Sequence, residues 1–191
     1  MSTIIKDGSG AGYSASVNKD NQLITRATAV EQRLKSTIDQ NYFEVTTGKI
    51  TLANATETGI IYLKNESTTM LLVIDRVFWD IWASTSGGAE GTLTYYHTVT
   101  ITGGTDIVPN NTSYGSTDSA IGTFKKSLTT FSGTAWWTGN ITPTSSVALD
   151  EGRIVLPANA THAITVAAPA ANTSMDVSIN IAFYYLDEDL V

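Results

Sequence analysis

The stretch Met175-Asp176-Val177-Ser178-Ile179-Asn180-Ile181-Ala182-Phe183-Tyr184-Tyr185 decides the fold. Met175, Val177, Ile179, Ile181 and Phe183 fall on one side of an extended chain, and Asp176, Ser178, Asn180 and Ala182 on the other. Successive side chains of a strand point to opposite faces, so this period of two predicts a strand with one face in a core. Leu93, Tyr95, His97, Val99 and Ile101 repeat the pattern against Thr92, Thr94, Tyr96, Thr98 and Thr100. Ile60 to Lys64 is a third case. Met70 to Trp82 is apolar on both faces for much of its length, as expected of a central strand covered on both sides. Further strands are expected at Tyr42–Leu52, Ala120–Phe131, Ala135–Ile141, Ile154–Leu156 and Ala163–Ala167, with Pro157-Ala158-Asn159 as the turn between the last two.

Turn residues punctuate these runs: Ser84 to Gly88, Gly103-Gly104, Pro109-Asn110-Asn111 and Asp150-Glu151-Gly152. Many strands at such spacing, without helices between them, predict an all-β antiparallel sandwich. A jelly roll is the preferred architecture and an immunoglobulin-like sandwich the alternative. The expected organisation is an extended N-terminal arm over residues 1–28, a linker or short helix over 29–41, the sandwich over 42–186 and an acidic tail over 187–191. In the linker, Val30, Leu34 and Ile38 stand at four-residue spacing, which fits a short amphipathic helix as well as an extended connection.

The 191 residues suffice for one domain with a sizeable core plus an arm. Charged residues make up only 15%, so Thr, Ser and Asn carry solubility. A net charge of −7 opposes a nucleic-acid surface, which needs clustered cations. The doublet Lys125-Lys126 reads as a solvated strand edge. The chain has no cysteine, which excludes disulfides, thiolate catalysis and cysteine-ligated metals. Met1 to Lys6 does not have the pattern of a signal peptide, so synthesis in a cytoplasm is expected. The longest apolar run, Met70 to Ile74, is too short to span a membrane. The Asn-x-Ser/Thr triplets, such as Asn54-Ala55-Thr56, are the yield of an Asn- and Thr-rich composition.

No catalytic constellation stands out, and no cofactor is implied. Gly8-Ser9-Gly10-Ala11-Gly12 lacks the preceding buried strand, the following helix and the lysine of a phosphate loop, and reads as a turn. His97 falls on the apolar face of its strand and His162 heads another; a metal would need both to meet with a carboxylate. Asp75 and Asp80 are five apart on one strand and point to opposite faces, which makes them poor partners for glycoside hydrolysis. The aromatic residues offer more. Trp79, Trp82, Trp136 and Trp137 are candidates for an exposed interface or a stacking platform for sugars. Adjacent residues of a regular strand face opposite ways, so one of Trp136 and Trp137 is expected to point outward.

The first residues carry a resemblance. Ile5-Lys6-Asp7-Gly8-Ser9-Gly10, then Ala15-Ser16-Val17 and Asn21-Gln22-Leu23, resemble the N-terminal segment of small tailed-bacteriophage virion proteins. "IIYLKNESTTMLLVIDRV" (60–77) and "RIVLPANATHAITVAAP" (153–169) are similar in style to the strand-turn-strand units of phage capsid-decoration and head-fibre sandwiches. The resemblance implies a non-enzymatic virion structural protein, most simply an accessory capsid (decoration or cement) protein. Its arm would hold the major capsid protein or another virion protein through Ile4, Ile5, Asp7, Gly8, Gly10, Tyr13, Val17 and Leu23. The sandwich would form a homo-oligomer, with a trimer favoured. A glycine-rich arm that buries little of itself can gain order by adding to a neighbour's sheet edge, where backbone hydrogen bonds supply the affinity. A tail or fibre-base component is the alternative within virions. A carbohydrate-binding β-sandwich, with glycan as partner, is the alternative from another class.

Overall fold

A computed structural model describes residues 4–6, 14–17, 23–24, 39–53, 56–82, 91–113, 115–141, 146–148, 154–168 and 174–187. The chain divides into two compact units, Met1–Glu31 and Gln32–Val191. In the first, β1 (Ile4–Lys6), β2 (Ser14–Val17) and β3 (Leu23–Ile24) form a small antiparallel sheet in that order, so these parts of the expected arm pair with one another. Most of the expected linker, residues 29–38, lies outside the described residues, as do 188–191 of the expected tail.

The second unit holds the other strands: β4 (Tyr42–Thr46), β5 (Ile50–Ala53), β6 (Glu57–Asn65), β7 (Met70–Trp82), β8 (Gly91–Thr102), β9 (Thr105–Asp106) and β10 (Asn110–Asn111), followed by β11 (Gly122–Leu128), β12 (Thr130–Ile141), β13 (Ser146–Ala148), β14 (Ile154–Leu156), β15 (Thr161–Ala167) and β16 (Ser174–Asp187). All pairs are antiparallel. One sheet runs β10, β4, β16, β7, β13, with β5 also on β16 and β14 also on β7. The other runs β12, β8, β15, β6, β11, β9. If β4/β5 and β13/β14 each count as one broken lane, and β9 to β11 as an insertion, the first sheet is built from lanes one, eight, three and six in chain order. The second is built from lanes two, seven, four and five. That is the strand order of a jelly roll rather than of an immunoglobulin sandwich.

The alternation of β16 is realised as expected. Met175, Val177, Ile179, Ile181 and Phe183 are buried, and β16 is flanked by β4/β5 on one side and β7 on the other. Their burial against Ile60, Ile61, Leu63, Leu93, Ile164 and others of the facing sheet makes one continuous core. Phe183 sits at its aromatic centre, stacked on Phe43 of its own sheet at 5.6 Å and on Phe124 of the facing sheet at 5.2 Å.

Bulges explain where strict alternation fails. Phe183 is opposite Ile74 and Ala182 is opposite Arg76, so Asp75 is an extra residue in β7. Ile74 and Val77 can then both join the core while Asp75 meets groups outside it. The Tyr42 hydroxyl donates to Asp75 Oδ2 at 2.7 Å, and Arg76 Nε donates to the same oxygen at 3.1 Å. A second bulge sits at Thr98, whose φ of 54° lies in the left-handed region that few non-glycine residues occupy. It sends Val99 to the opposite side from Tyr95: Tyr95 joins the main core, whereas Val99 joins Tyr62, Ala163 and Leu128. Tyr62, Ala163 and Tyr96 are register partners across three strands on the outer side of the six-stranded sheet.

Ile101 and Phe131, near the tip of the β8–β12 ribbon, pack on this outer cluster. The connectivity demands such a fold-back. Only Thr129 separates β11 from β12, yet four strand steps lie between them in the sheet. Four steps span about 19 Å, and one extended residue reaches only about 3.5 Å. The ribbon tip therefore crosses the outside of its own sheet, where an added Cβ on Gly103 would collide with Thr129 Oγ1.

Candidate functional site

Two features lie side by side on the six-stranded sheet: the edge strand β12 and a cleft beside it. β12 spans twelve residues, and all are exposed or half-buried except Ile141. None carries a charge. Exposed edges are usually blunted by charges, proline or brevity, because their free backbone groups template pairing with another chain. The opposite edge of this sheet is treated that way: it ends in the two-residue β9, where Asp106 accepts from Lys125 Nζ at 2.5 Å. β12 keeps only bulges.

One of those bulges makes the tryptophan pair. Ala135 is opposite Tyr96 and Trp137 is opposite Tyr95, which leaves Trp136 as the extra residue. Alternation is suspended there, so both indoles reach the same tyrosine. Their rings lie 5.6 and 5.2 Å from that of Tyr95, both edge-on. Trp136 remains 47% exposed and Trp137 42%. Trp137 lies along its own strand, and a Cβ on Gly139 would stand 2.5 Å from its ring. The expectation that one of the two faces outward is therefore corrected: both are half-exposed. Trp79 is corrected the other way. It is only 9% exposed and packs in the core, because the Asp75 bulge resets β7 so that Val77, Trp79 and Ile81 point inward. The side chain of Trp82 lies outside the described residues.

The histidines also depart from the expected pattern. His162 is opposite His97 on the neighbouring strand. His97 is exposed, and its Nδ1 lies 2.9 Å from Thr98 Oγ1. His162 is the core residue, 1% exposed, with Tyr95 and Trp136 against its ring at 5.5 and 6.4 Å. One ring nitrogen is hydrogen-bonded to the Tyr96 backbone, and Nε2 has no partner. His97 keeps the face that periodicity gave it, opposite His162, but that face opens there into a cleft that periodicity cannot show. Among the described residues, no three His, Asp or Glu side chains gather as a metal-binding group.

Burial holds the His162 imidazole down to about 4, with His97 acting the same way and the Tyr96 backbone bond opposing. In the unfolded chain this group titrates near 6.5, so the unfolded state binds a proton that the folded state refuses as pH falls from about 6.5 to 4. Stability falls through that window. Between pH 7.5 and 4.5 the wild type is expected to lose about 2–3 kcal/mol more than His162→Phe. Urea unfolding of both at the two pH values checks this; parallel losses would exclude His162 as the source.

His97, Trp136, Ile154, Val155, Leu156 and His162 line a cleft of about 240 Å³. A neighbouring compartment of about 310 Å³ shares His97, Val155 and Leu156 and adds Thr98, Pro157, Asn159 and Thr161. Asn65, fully buried at the end of β6, fixes the β14 wall. Its Nδ2 donates to Leu156 O and Met70 O, each at 2.8 Å, and its Oδ1 accepts from Ser67 N at 3.0 Å. Its backbone closes the β14–β15 turn, with Asn159 N donating to Asn65 O and Asn65 N to Ala160 O.

Of the residues expected to anchor the arm, Ile4 and Ile5 lie on β1, Val17 on β2 and Leu23 on β3; Asp7, Gly8, Gly10 and Tyr13 lie outside the described residues. No protein-family model matches the chain, and neither the curated proteins nor the solved structures searched contain a match.

Proposed function

We propose that this chain is a non-enzymatic structural component of a tailed-phage virion, most simply an accessory capsid protein. In this reading residues 1–28 bind the shell, and the sandwich associates with its own copies as a small oligomer, a trimer being favoured. The long, uncharged, tryptophan-bearing edge of β12 carries the reading, because it has the composition of a surface that is covered in use. The separation of the N-terminal residues into their own compact unit supports a division of labour between anchor and body. High local concentration on a repetitive shell would let weak single contacts add up.

Deleting residues 1–28 is expected to leave a cooperatively folding sandwich that no longer co-sediments with capsids stripped of accessory proteins. Retained co-sedimentation would sink the anchoring role. If the partner is a tail or fibre base, the full-length protein co-sediments with isolated tails and not with empty shells.

A further inference from the structure

We propose that the cleft between β14 and strands β8, β12 and β15 binds a neutral carbohydrate, with the apolar face of one sugar ring on Trp136 and one hydroxyl donating to Nε2 of His162. This goes beyond the virion reading and requires that whatever covers the β12 edge leave Trp136 open to the cleft.

Three observations converge. First, a buried polar atom without a partner is costly and uncommon in a native fold, and at a cleft it marks a place where a ligand completes the hydrogen bonding. His162 Nε2 is such an atom, and its residue lines the cleft. With the other ring nitrogen engaged by the Tyr96 backbone, a neutral imidazole offers Nε2 as an acceptor, so the ligand must bring a donor. Second, apolar side chains of the wall stand open to solvent beside His97. Trp136 is 47% exposed and Val155 44%, so an indole and an aliphatic side chain both line the open cleft. A sugar ring has the complementary character: C–H groups on its faces, hydroxyls around its rim. Third, no Asp, Glu, Lys or Arg lines either compartment. That favours a neutral ligand over an anionic one.

The dimensions fit as well. A volume of about 240 Å³ is below the usual range for drug-sized ligands, as a single ring requires. The adjoining compartment offers the hydroxyls of Thr98 and Thr161 and the amide of Asn159, a setting for a second ring. Nε2 itself is closed off from solvent, so contact requires a side chain beside it to tilt outward, and Trp136, its ring 6.4 Å away, is the candidate. The position of Trp136 at a bulge on an edge strand permits that tilt. The oxygen-rich compartment also explains why the site is not simply an apolar slot for another side chain.

The test is a glycan array probed with the full-length protein, followed by tryptophan-fluorescence titration of any neutral saccharide retained. Trp136→Ala and His162→Phe are each expected to weaken binding at least tenfold, while Trp137→Ala changes it less than threefold. Saturating saccharide should also move the ¹⁵N resonance of His162 Nε2 toward that of a hydrogen-bonded acceptor. The proposal is overturned if no neutral saccharide binds, if only acidic glycans bind, or if Trp136→Ala binds as the wild type does. Since Trp136 is half-exposed, that variant remains a fair test should His162→Phe fail to fold. Zn²⁺ is titrated in parallel. Zinc binding that disappears in His97→Ala, together with a blank array, would assign the two histidines to a metal and overturn the sugar site.

Discussion

Phe183→Ala is expected to destabilise the sandwich by about 3–5 kcal/mol, a large share of the total stability of a typical domain. The side chain is fully buried, on the central strand of one sheet, and touches aromatic rings from both sheets. Phe43 and Phe124 stack on it, and Tyr185 meets it edge-on at 5.9 Å. Truncation removes apolar area and leaves a void that these rings cannot fill, because each is fixed by its own strand. The Tyr185 hydroxyl, for instance, donates to Ile121 O at 2.9 Å. Chemical denaturation should show a lower midpoint with an unchanged slope. Phe183→Leu, which keeps much of the volume, should lose less than half as much; equal losses would mean that the aromatic centre does not hold the two sheets together.

Asn65→Ala is the second large effect, at about 3–5 kcal/mol, for a different physical reason. Little apolar area changes. Instead, two carbonyls and one amide lose their partner at once, and each buried group left unsatisfied costs about 1–3 kcal/mol. Asn65→Asp is a useful companion. It keeps the acceptor for Ser67 N but presents oxygen to two carbonyls, so it should be at least as damaging. Because Leu156 and the β14–β15 turn hang on this residue, amide exchange of β14 should rise more than that of β16. Uniform exchange across both strands would show that Asn65 supports the whole sandwich rather than the cleft wall.

Much of the architecture was legible in the sequence. The alternation from Met175 to Phe183, the two-sided apolar run of β7 and the Pro157-Ala158-Asn159 turn are direct records of which face each residue presents. The strand order was not legible, since it rests on the pairing of residues as far apart as Tyr42 and Tyr184. The site was hidden because three bulges shape it. Asp75, Thr98 and Trp136 each shift the alternation by one, and none is a glycine that would have announced the irregularity. Such a slip moves every later side chain to the other face. Hence Trp79 went in, Val99 and Ile101 moved to the outer side, and both Trp136 and Trp137 reached the surface. The division at Thr129 was equally silent: Ala120–Phe131 and Ala135–Ile141 are realised as Gly122–Leu128 and Thr130–Ile141, joined by one residue. The two asparagines Asn110-Asn111, expected to be part of a turn, pair with β4 as a two-residue strand.

The place of β16 has a consequence for synthesis. Its neighbours β4, β5 and β7 leave the ribosome some hundred residues earlier, and until β16 arrives both their inner edges stand unpaired. Chain elongation at about 5–20 residues per second makes that interval several seconds long. The sandwich therefore closes after its last strand is made, and a nascent chain spends those seconds with two ladders open to any other nascent copy nearby. The apolar run Met70 to Ile74 at the start of β7 is the part most exposed to such mispairing, and timely chain completion is its safeguard.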